Sequence, residues 1–167
     1  MKFEDIAEIG PFSLKKKEKD ELLTKRLLEL TERHRDNCPE YAFMLDAVRF
    51  DSYSASKYTD LPFLPVRLFK ELELKSVADE EVVKTMTSSG TTGQAVSRIF
   101  LDRITSANQQ KAMVKIVSEF TGSSRMPMII VDCPSVVKNR AMFSARGAGI
   151  LGFSIFGSKK YMRLTMI

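Results

Sequence analysis

A run of hydroxyl side chains and glycines between two alternating segments constrains the fold of this chain more than any other feature. The segments before and after it are Val82–Met86 and Val96–Leu101, and in both of them apolar and polar residues alternate in part. Such alternation is typical of β-strands. The sequence therefore predicts a two-stranded ribbon whose connecting loop reads Thr87-Ser88-Ser89-Gly90-Thr91-Thr92-Gly93.

The composition of this loop suits an anion such as a polyphosphate. Gly90 and Gly93 can adopt positive φ, which lets backbone N–H groups converge, and the hydroxyl groups add further hydrogen-bond donors. Thr91 and Thr92 are the hydroxyls that we rank highest as phosphate ligands. An ordinary hairpin turn is the alternative, because Ser, Thr and Gly are common turn residues. The loop is not a Walker motif, since no lysine follows its second glycine.

Arg98 comes shortly after the loop and is a further candidate ligand. Two interpretations of its side chain stay open, which are contact with the phosphates and exposure to solvent on the ribbon. We assign no catalytic residue and no protein metal site from the sequence. The predicted nucleotide-binding residues are Thr87, Ser88, Ser89, Gly90, Thr91, Thr92, Gly93 and Arg98.

A second glycine-rich stretch, Gly147–Gly152, formally matches the G-x-G-x-x-G pattern of dinucleotide-binding proteins. That pattern requires a strand directly before it and an acidic residue about 20 positions later. We predict neither, because the preceding segment is Lys138–Arg146 and no carboxylate side chain follows. We therefore interpret these glycines as points of close packing on a helix of small residues.

Helical spacing of apolar residues predicts several helices. The first runs from about Lys19 to Arg35, and Asn37 and Pro39 end it and begin another. A short helix is expected from Pro65 through Leu72. A longer one is predicted from Thr105 or Ser106 to Phe120, with Ser106 and Gln109 as a capping box.

Strands are predicted at Lys75–Val77, Met128–Val131 and Tyr161–Ile167, in addition to the ribbon. Met128–Val131 is continuously apolar, which favours a strand buried on both faces of a parallel sheet. The expected fold class is α/β, with N-terminal helices in residues 1–60 and a mixed, mainly parallel sheet with flanking helices in residues 61–167. Ligands tend to lie at the carboxyl ends of such strands, where Asp132 and Cys133 would be.

The nucleophilic and titratable residues restrict the possible chemistry. His34 is the only histidine, and we expect it on the surface near a helix C-terminus, where the helix dipole favours its charged form. Cys38 and Cys133 are far apart and lie outside any metal-binding spacing, so we expect two free, buried thiols. For Cys133 a position near a site is the alternative to a purely apolar role.

Length and composition are those of one globular domain, with 167 residues of which 44% are hydrophobic. No apolar run approaches the roughly 18 residues that would cross a bilayer, and the N-terminus lacks the apolar core of a signal peptide. A cytoplasmic location without a membrane span is the resulting expectation.

The net charge of +5 is concentrated near the C-terminus. Residues 1–132 carry 20 basic and 21 acidic side chains, whereas the six cations after Asp132 face no acidic residue. Such a basic end can bind nucleic acid or a membrane surface. Aromatic and aliphatic residues interrupt these cations, so we predict no nucleic-acid partner and instead expect that compensating carboxylates lie in a part of the protein beyond this chain.

Five blocks of sequence resemble known enzymes. Ser88–Gly93 resembles the phosphate loop of the adenylate-forming superfamily. Its flanks and two later blocks are similar to the acyl-protein synthetases of the bacterial luciferase system, the LuxE family, and the similarity runs from about residue 40 to the end. These four blocks are Leu61–Lys70, Val96–Asp102, Pro127–Asp132 and Ser144–Gly152.

The resemblance implies part of an adenylate-forming large domain that uses ATP and Mg²⁺ to activate a fatty acid or another carboxylic acid. The acyl group would then pass to an enzyme cysteine and on to an acyl reductase partner. Ala95-Val96 replaces the Pro-Lys pair of the superfamily loop. The acceptor cysteine belongs to the C-terminal part of the family, so we expect this chain to be an N-terminal portion, inactive alone.

Two other interpretations of the function stay open, and the second of them comes from another class of protein. A phenylacetate-type CoA ligase shares the loop but passes its acyl group to CoA. A non-catalytic basic interaction module would bind an anionic polymer with steep salt dependence and would not need ATP. Unpaired sheet edges also favour a homo-oligomer.

Overall fold

The computed structural model describes residues 2–88, 95–137 and 143–162, and the chain divides into two compact units, Met1–Ala78 and Asp79–Ile167. The first unit contains α1 (Phe3–Ala7), α2 (Lys16–Asn37), α3 (Pro39–Ala47) and α4 (Leu68–Glu71). The second contains α5 (Arg103–Thr121) and α6 (Ala145–Phe153). Its strands are β1 (Val82–Thr87), β2 (Arg98–Asp102), β3 (Met126–Ile130), β4 (Phe143–Ser144) and β5 (Gly157–Met162).

The first unit is built on the junction between α2 and α3. The backbone N–H of Cys38 donates to the His34 carbonyl at 2.9 Å and closes α2, and Pro39 occupies the first turn of α3, where its missing N–H costs nothing. Arg35 ties the two helices together by donating to Asp46 and to the Phe50 carbonyl, both at 3.1 Å. The junction therefore depends on local capping and on one bridging guanidinium.

The interior of the first unit is small. Leu45 has no exposed surface, Cys38 is 2% exposed and Thr31 is 6% exposed. Leu45 is the only large side chain among the described residues that is fully buried. The contact between α2 and α3 therefore depends strongly on this one leucine.

The second unit holds two small sheets. In the first, β1 pairs with β2 in antiparallel register and with β4 in parallel register, so the strand order is β2-β1-β4. The second sheet consists of β3 and β5, which are parallel. Leu101, Ser97 and Cys133 are the buried side chains of the unit among the described residues.

The structure confirms an α/β fold, the two predicted N-terminal helices, the short helix after Pro65 and the ribbon of β1 and β2. The predicted regions 1–60 and 61–167 stay a prediction. The strand predicted at Lys75–Val77 is wrong, since this segment has no strand pairing.

Two further expectations about local structure are also wrong. Helix α5 begins at Arg103, where the carboxylate of Asp102 accepts from the backbone N–H of Thr105 and replaces the predicted capping box. Strand β3 is not buried on both faces, because 76% of Ile129 is exposed. Residues 163–167 of the last predicted strand lie outside the described residues.

Candidate functional site

The ribbon of β1 and β2 ends in a pair of reciprocal contacts at the base of the hydroxyl-rich loop. Thr87 is the register partner of Arg98, the last pair of the ladder. Beyond it, the backbone N–H of Ser88 donates to the Ser97 carbonyl at 3.2 Å, and the backbone N–H of Ser97 donates to Ser88 Oγ at 3.0 Å. Ser97 is 8% exposed, so its N–H needs this hydroxyl as a partner. Ser88 therefore fixes the point at which the loop leaves the sheet.

Three of the eight predicted nucleotide-binding residues, Thr87, Ser88 and Arg98, lie at this base. Their shared position at the end of the ribbon agrees with the predicted strand-loop-strand arrangement. The other predicted residues lie outside the described residues: Ser89, Gly90, Thr91, Thr92 and Gly93.

Arg98 is exposed and lies along the ribbon. Its guanidinium carbon is 6.0 Å from the centre of the Phe100 ring, two residues further along β2, which is within cation–π distance. This position is compatible with both interpretations of Arg98 given above, since the residue is at the loop base and also on an exposed face.

A short strand that leads directly into a helix lies beside the ribbon. Strand β4 is parallel to β1, and Thr87 and Ser144 are register partners. Helix α6 follows Ser144 directly, so the chain leaves both strands at the same sheet edge. Sequence reasoning missed β4, because two residues are too few to show a periodic pattern.

An ion pair links the end of β3 to the start of α6. Arg146 Nε lies 2.9 Å from Asp132 Oδ2, and Arg146 Nη2 lies 2.9 Å from Asp132 Oδ1. The same Oδ1 accepts from the backbone N–H of Cys133 at 2.6 Å. Asp132 therefore lies at a carboxyl strand end, as predicted, but its pairing with Arg146 has no signal in the sequence.

Both cysteines are free and buried, which confirms the expectation. Cys133 is 9% exposed and directly follows Asp132. Cys38 lies in the first unit, with its thiol 3.7 Å from a carboxylate oxygen of Glu40. Neither position identifies an acyl acceptor, and we assign that role to neither residue.

The second glycine-rich stretch forms α6, as predicted. A Cβ atom at Gly152 would lie 3.3 Å from Cε of Met113 on α5, so this glycine permits a close helix contact. A Cβ atom at Gly149 would meet no described group within 4 Å outside its own stretch of helix, so close packing does not explain this glycine. Contrary to the expectation, a strand does precede this stretch, although β4 has only two residues.

His34 differs from the expectation in its electrostatics. It lies near the end of α2 and is exposed, but its ring Nδ1 is 2.7 Å from Ser76 Oγ and its ring makes an edge contact with Tyr41. Partial loss of hydration, and secondarily the charge of Arg33, lower the pKa of His34 below its ordinary value of 6.5. The helix dipole alone would raise this pKa. Because the pKa is lowered instead, the neutral form of the ring is favoured over the charged form that we expected.

The lowered pKa of His34 predicts a specific pH dependence of stability. The unfolded chain takes up the proton near pH 6.5 and the folded chain only at lower pH, so stability is complete above 6.5 and falls as the pH decreases below it. Urea denaturation between about pH 7.5 and 5.5 should show this decrease, and His34→Gln should flatten it. An unchanged slope in the variant would contradict the prediction. Asp60 and Glu29 also have lowered pKa values, but from 3.8 and 4.5, so they act at lower pH.

Within residues 2–88, 95–137 and 143–162, no group of three or more His, Cys, Asp or Glu side chains could hold a metal ion. In the same ranges, no helix is both long and apolar enough to cross a membrane.

The fold is that of an α/β unit, and the hydroxyl- and glycine-rich sequence lies between its first two strands. Comparison with protein families gives a match over residues 3–165 to the family described as acyl-protein synthetase, LuxE. The chain therefore belongs to the LuxE acyl-protein synthetase family, a family of ligases. No curated protein and no solved structure matches it.

Proposed function

We propose that this chain is the N-terminal part of an ATP-dependent acyl-protein synthetase, which activates a fatty acid as an acyl-adenylate and transfers the acyl group to an enzyme cysteine. The observation that carries the proposal is the loop base of Thr87, Ser88 and Arg98, in a chain of the LuxE family. In the sequence, the other predicted phosphate ligands, Ser89–Gly93, come directly after Ser88.

The described residues at the loop base fit a polyphosphate. Ser88 Oγ accepts from the Ser97 N–H, and a hydroxyl group that accepts one hydrogen bond can still donate another. Thr87 adds a second hydroxyl group, and its register partner Arg98 adds a cationic residue at the loop base, with the guanidinium 6.0 Å from the Phe100 ring. Magnesium would arrive with ATP, because Mg²⁺ is usually held by substrate phosphates and only one or two carboxylates.

The proposed reaction explains why such donors are needed. A carboxylate oxygen of the acid attacks the α-phosphorus of ATP and a new O–P bond forms. The bond between the α-phosphorus and the oxygen that bridges it to the β-phosphorus breaks, and pyrophosphate leaves. Both reactants are anions, so their approach requires positioned hydrogen-bond donors and cations. A cysteine thiolate then attacks the acyl carbon and AMP leaves with the bonding electron pair.

Two other functions would leave different signatures. A phenylacetate-type CoA ligase would form a soluble acyl-CoA product in place of an acylated protein. A basic interaction module would bind an anionic polymer in the absence of ATP, and its affinity would fall steeply with salt. The LuxE family match favours the protein acceptor.

The test is acylation of the full-length protein that carries this sequence. We expect radiolabelled fatty acid to become attached to the protein when Mg·ATP is present, and the label to be released by hydroxylamine, which cleaves thioesters. Label that appears only in acyl-CoA would favour the CoA ligase. No ATP-dependent product with either acceptor would overturn the proposal.

A further inference from the structure

The ion pair of Asp132 and Arg146 differs strongly in the exposure of its two members. The Asp132 side chain is 13% exposed, whereas the Arg146 side chain is 64% exposed. Asp132 is engaged on both oxygens, by two guanidinium nitrogens of Arg146 and by the Cys133 N–H. The carboxylate therefore lies beneath a guanidinium group that faces outward.

Strand register places Arg146 at the same sheet edge as the loop base. Thr87 and Ser144 are parallel partners, and adjacent strands lie about 4.8 Å apart. Ser88 follows Thr87 by one residue, and Arg146 follows Ser144 by two. Arg146 and Ser88 therefore lie at the same sheet edge, beyond the carboxyl ends of neighbouring parallel strands, which is where ligands of α/β proteins usually bind.

We propose that Arg146 binds a phosphate group of the nucleotide and that Asp132 positions its guanidinium. The inference rests on the proposed function, which supplies the nucleotide. It adds Arg146, which follows β4, to the residues proposed to bind the phosphates. Asp132 is a positioning residue in this arrangement, because it contacts Arg146 and has no part in binding the phosphate.

The chemistry of the pair favours this role over a simple structural link. A guanidinium has five N–H donors, and two parallel hydrogen bonds to Asp132 leave three for a second anion. Because Asp132 already holds the guanidinium group of Arg146 in one orientation, binding of the anion would cost less conformational entropy. Since 64% of the Arg146 side chain is exposed, the remaining donors can be reached by a ligand. Since the pair has no net charge, Arg146 would act through short-range hydrogen bonds.

Equilibrium binding of Mg·ATP to the full-length protein tests the inference. Arg146→Gln should raise the Kd roughly 10- to 100-fold, the range expected when a charge-assisted hydrogen bond is lost. Arg125→Gln is the matched control, because Arg125 is also exposed but directly precedes β3, at the opposite end of that strand. An equal effect of both substitutions would indicate general electrostatic attraction and overturn the inference.

Asp132→Asn tests the positioning role. The substitution keeps an acceptor for the Cys133 N–H but removes the charge that holds Arg146, so we expect a Kd increase of about threefold to tenfold. In the Arg146→Gln background it should cause no further increase, because the two residues act as one unit. If Arg146 is only structural, both substitutions change thermal stability and leave the Kd unchanged.

The wild-type protein separates failure of this inference from failure of the proposed function. Wild-type protein that binds Mg·ATP, together with Arg146→Gln protein that binds it equally well, would overturn the role of Arg146 alone. Wild-type protein that does not bind Mg·ATP would overturn both.

Discussion

The double substitution Thr91→Ala, Thr92→Ala should lower ATP-dependent acylation of the full-length protein by at least about 100-fold, the effect typical of losing one donor that stabilises a developing charge. The two hydroxyl groups are the proposed donors to the phosphates during attack on the α-phosphorus. Folding should be preserved, because the contacts that close the ribbon come from Ser88 and Ser97. The initial rates of radiolabelled fatty acid attachment and of pyrophosphate release, both under saturating ATP, give the measurement.

Thr105→Ala is a suitable control for this experiment. Thr105 is an exposed threonine in the first turn of α5, and the cap of that helix uses its backbone N–H, which the substitution retains. We expect wild-type acylation from this control and an unchanged melting temperature from the double variant. Wild-type activity in the double variant would show that the loop is an ordinary hairpin turn.

The ribbon and the first two predicted helices could be derived from the sequence because their signals are local. Partial alternation over Val96–Leu101 indicates a strand, and the leucine spacing between Lys19 and Arg35 indicates an apolar helix face. Pro39 marks the boundary between two helices for a covalent reason, since proline lacks an N–H and fits the first turn. In each case the physical cause lies within a few residues of its effect.

Features that depend on the surroundings of a segment could not be derived in the same way. The apolar run at Met128–Val131 correctly indicated a strand, but β5 is its only strand partner among the described residues and Ile129 stays exposed. Periodicity reports which residues could be buried and contains no information on what covers them. The pair of Asp132 and Arg146 is a tertiary contact, because its members lie 14 positions apart in the sequence.

The prediction of the α5 cap failed for a different reason, because the residue that forms the cap is recognisable in the sequence. Aspartate is among the best N-cap residues, and Asp102 stands three positions before Thr105. The predicted strand ended at Leu101 and the predicted capping box began at Ser106, so Asp102 belonged to neither element. A strand that passes directly into a helix leaves no loop residue to mark the boundary.

Leu45→Ala should lower the free energy of unfolding of the first unit by about 2–5 kcal/mol, the usual cost of removing a buried leucine side chain. Leu45 is fully buried on α3, and only four hydrophobic side chains are buried among the described residues of the whole chain. Few neighbouring groups are therefore available to compensate for the cavity. Urea denaturation followed by far-ultraviolet circular dichroism would measure the loss.

Phe43→Ala provides the matched comparison on the same helix. Phe43 is the larger side chain but is 75% exposed, so its removal should change the unfolding free energy by about 0.5 kcal/mol or less. Both substitutions introduce alanine, which favours the helical state, so helix propensity cannot explain a large loss in only one of them. If the two variants lose the same stability, the α2–α3 contact does not depend on Leu45, and the interior assigned to the first unit is wrong.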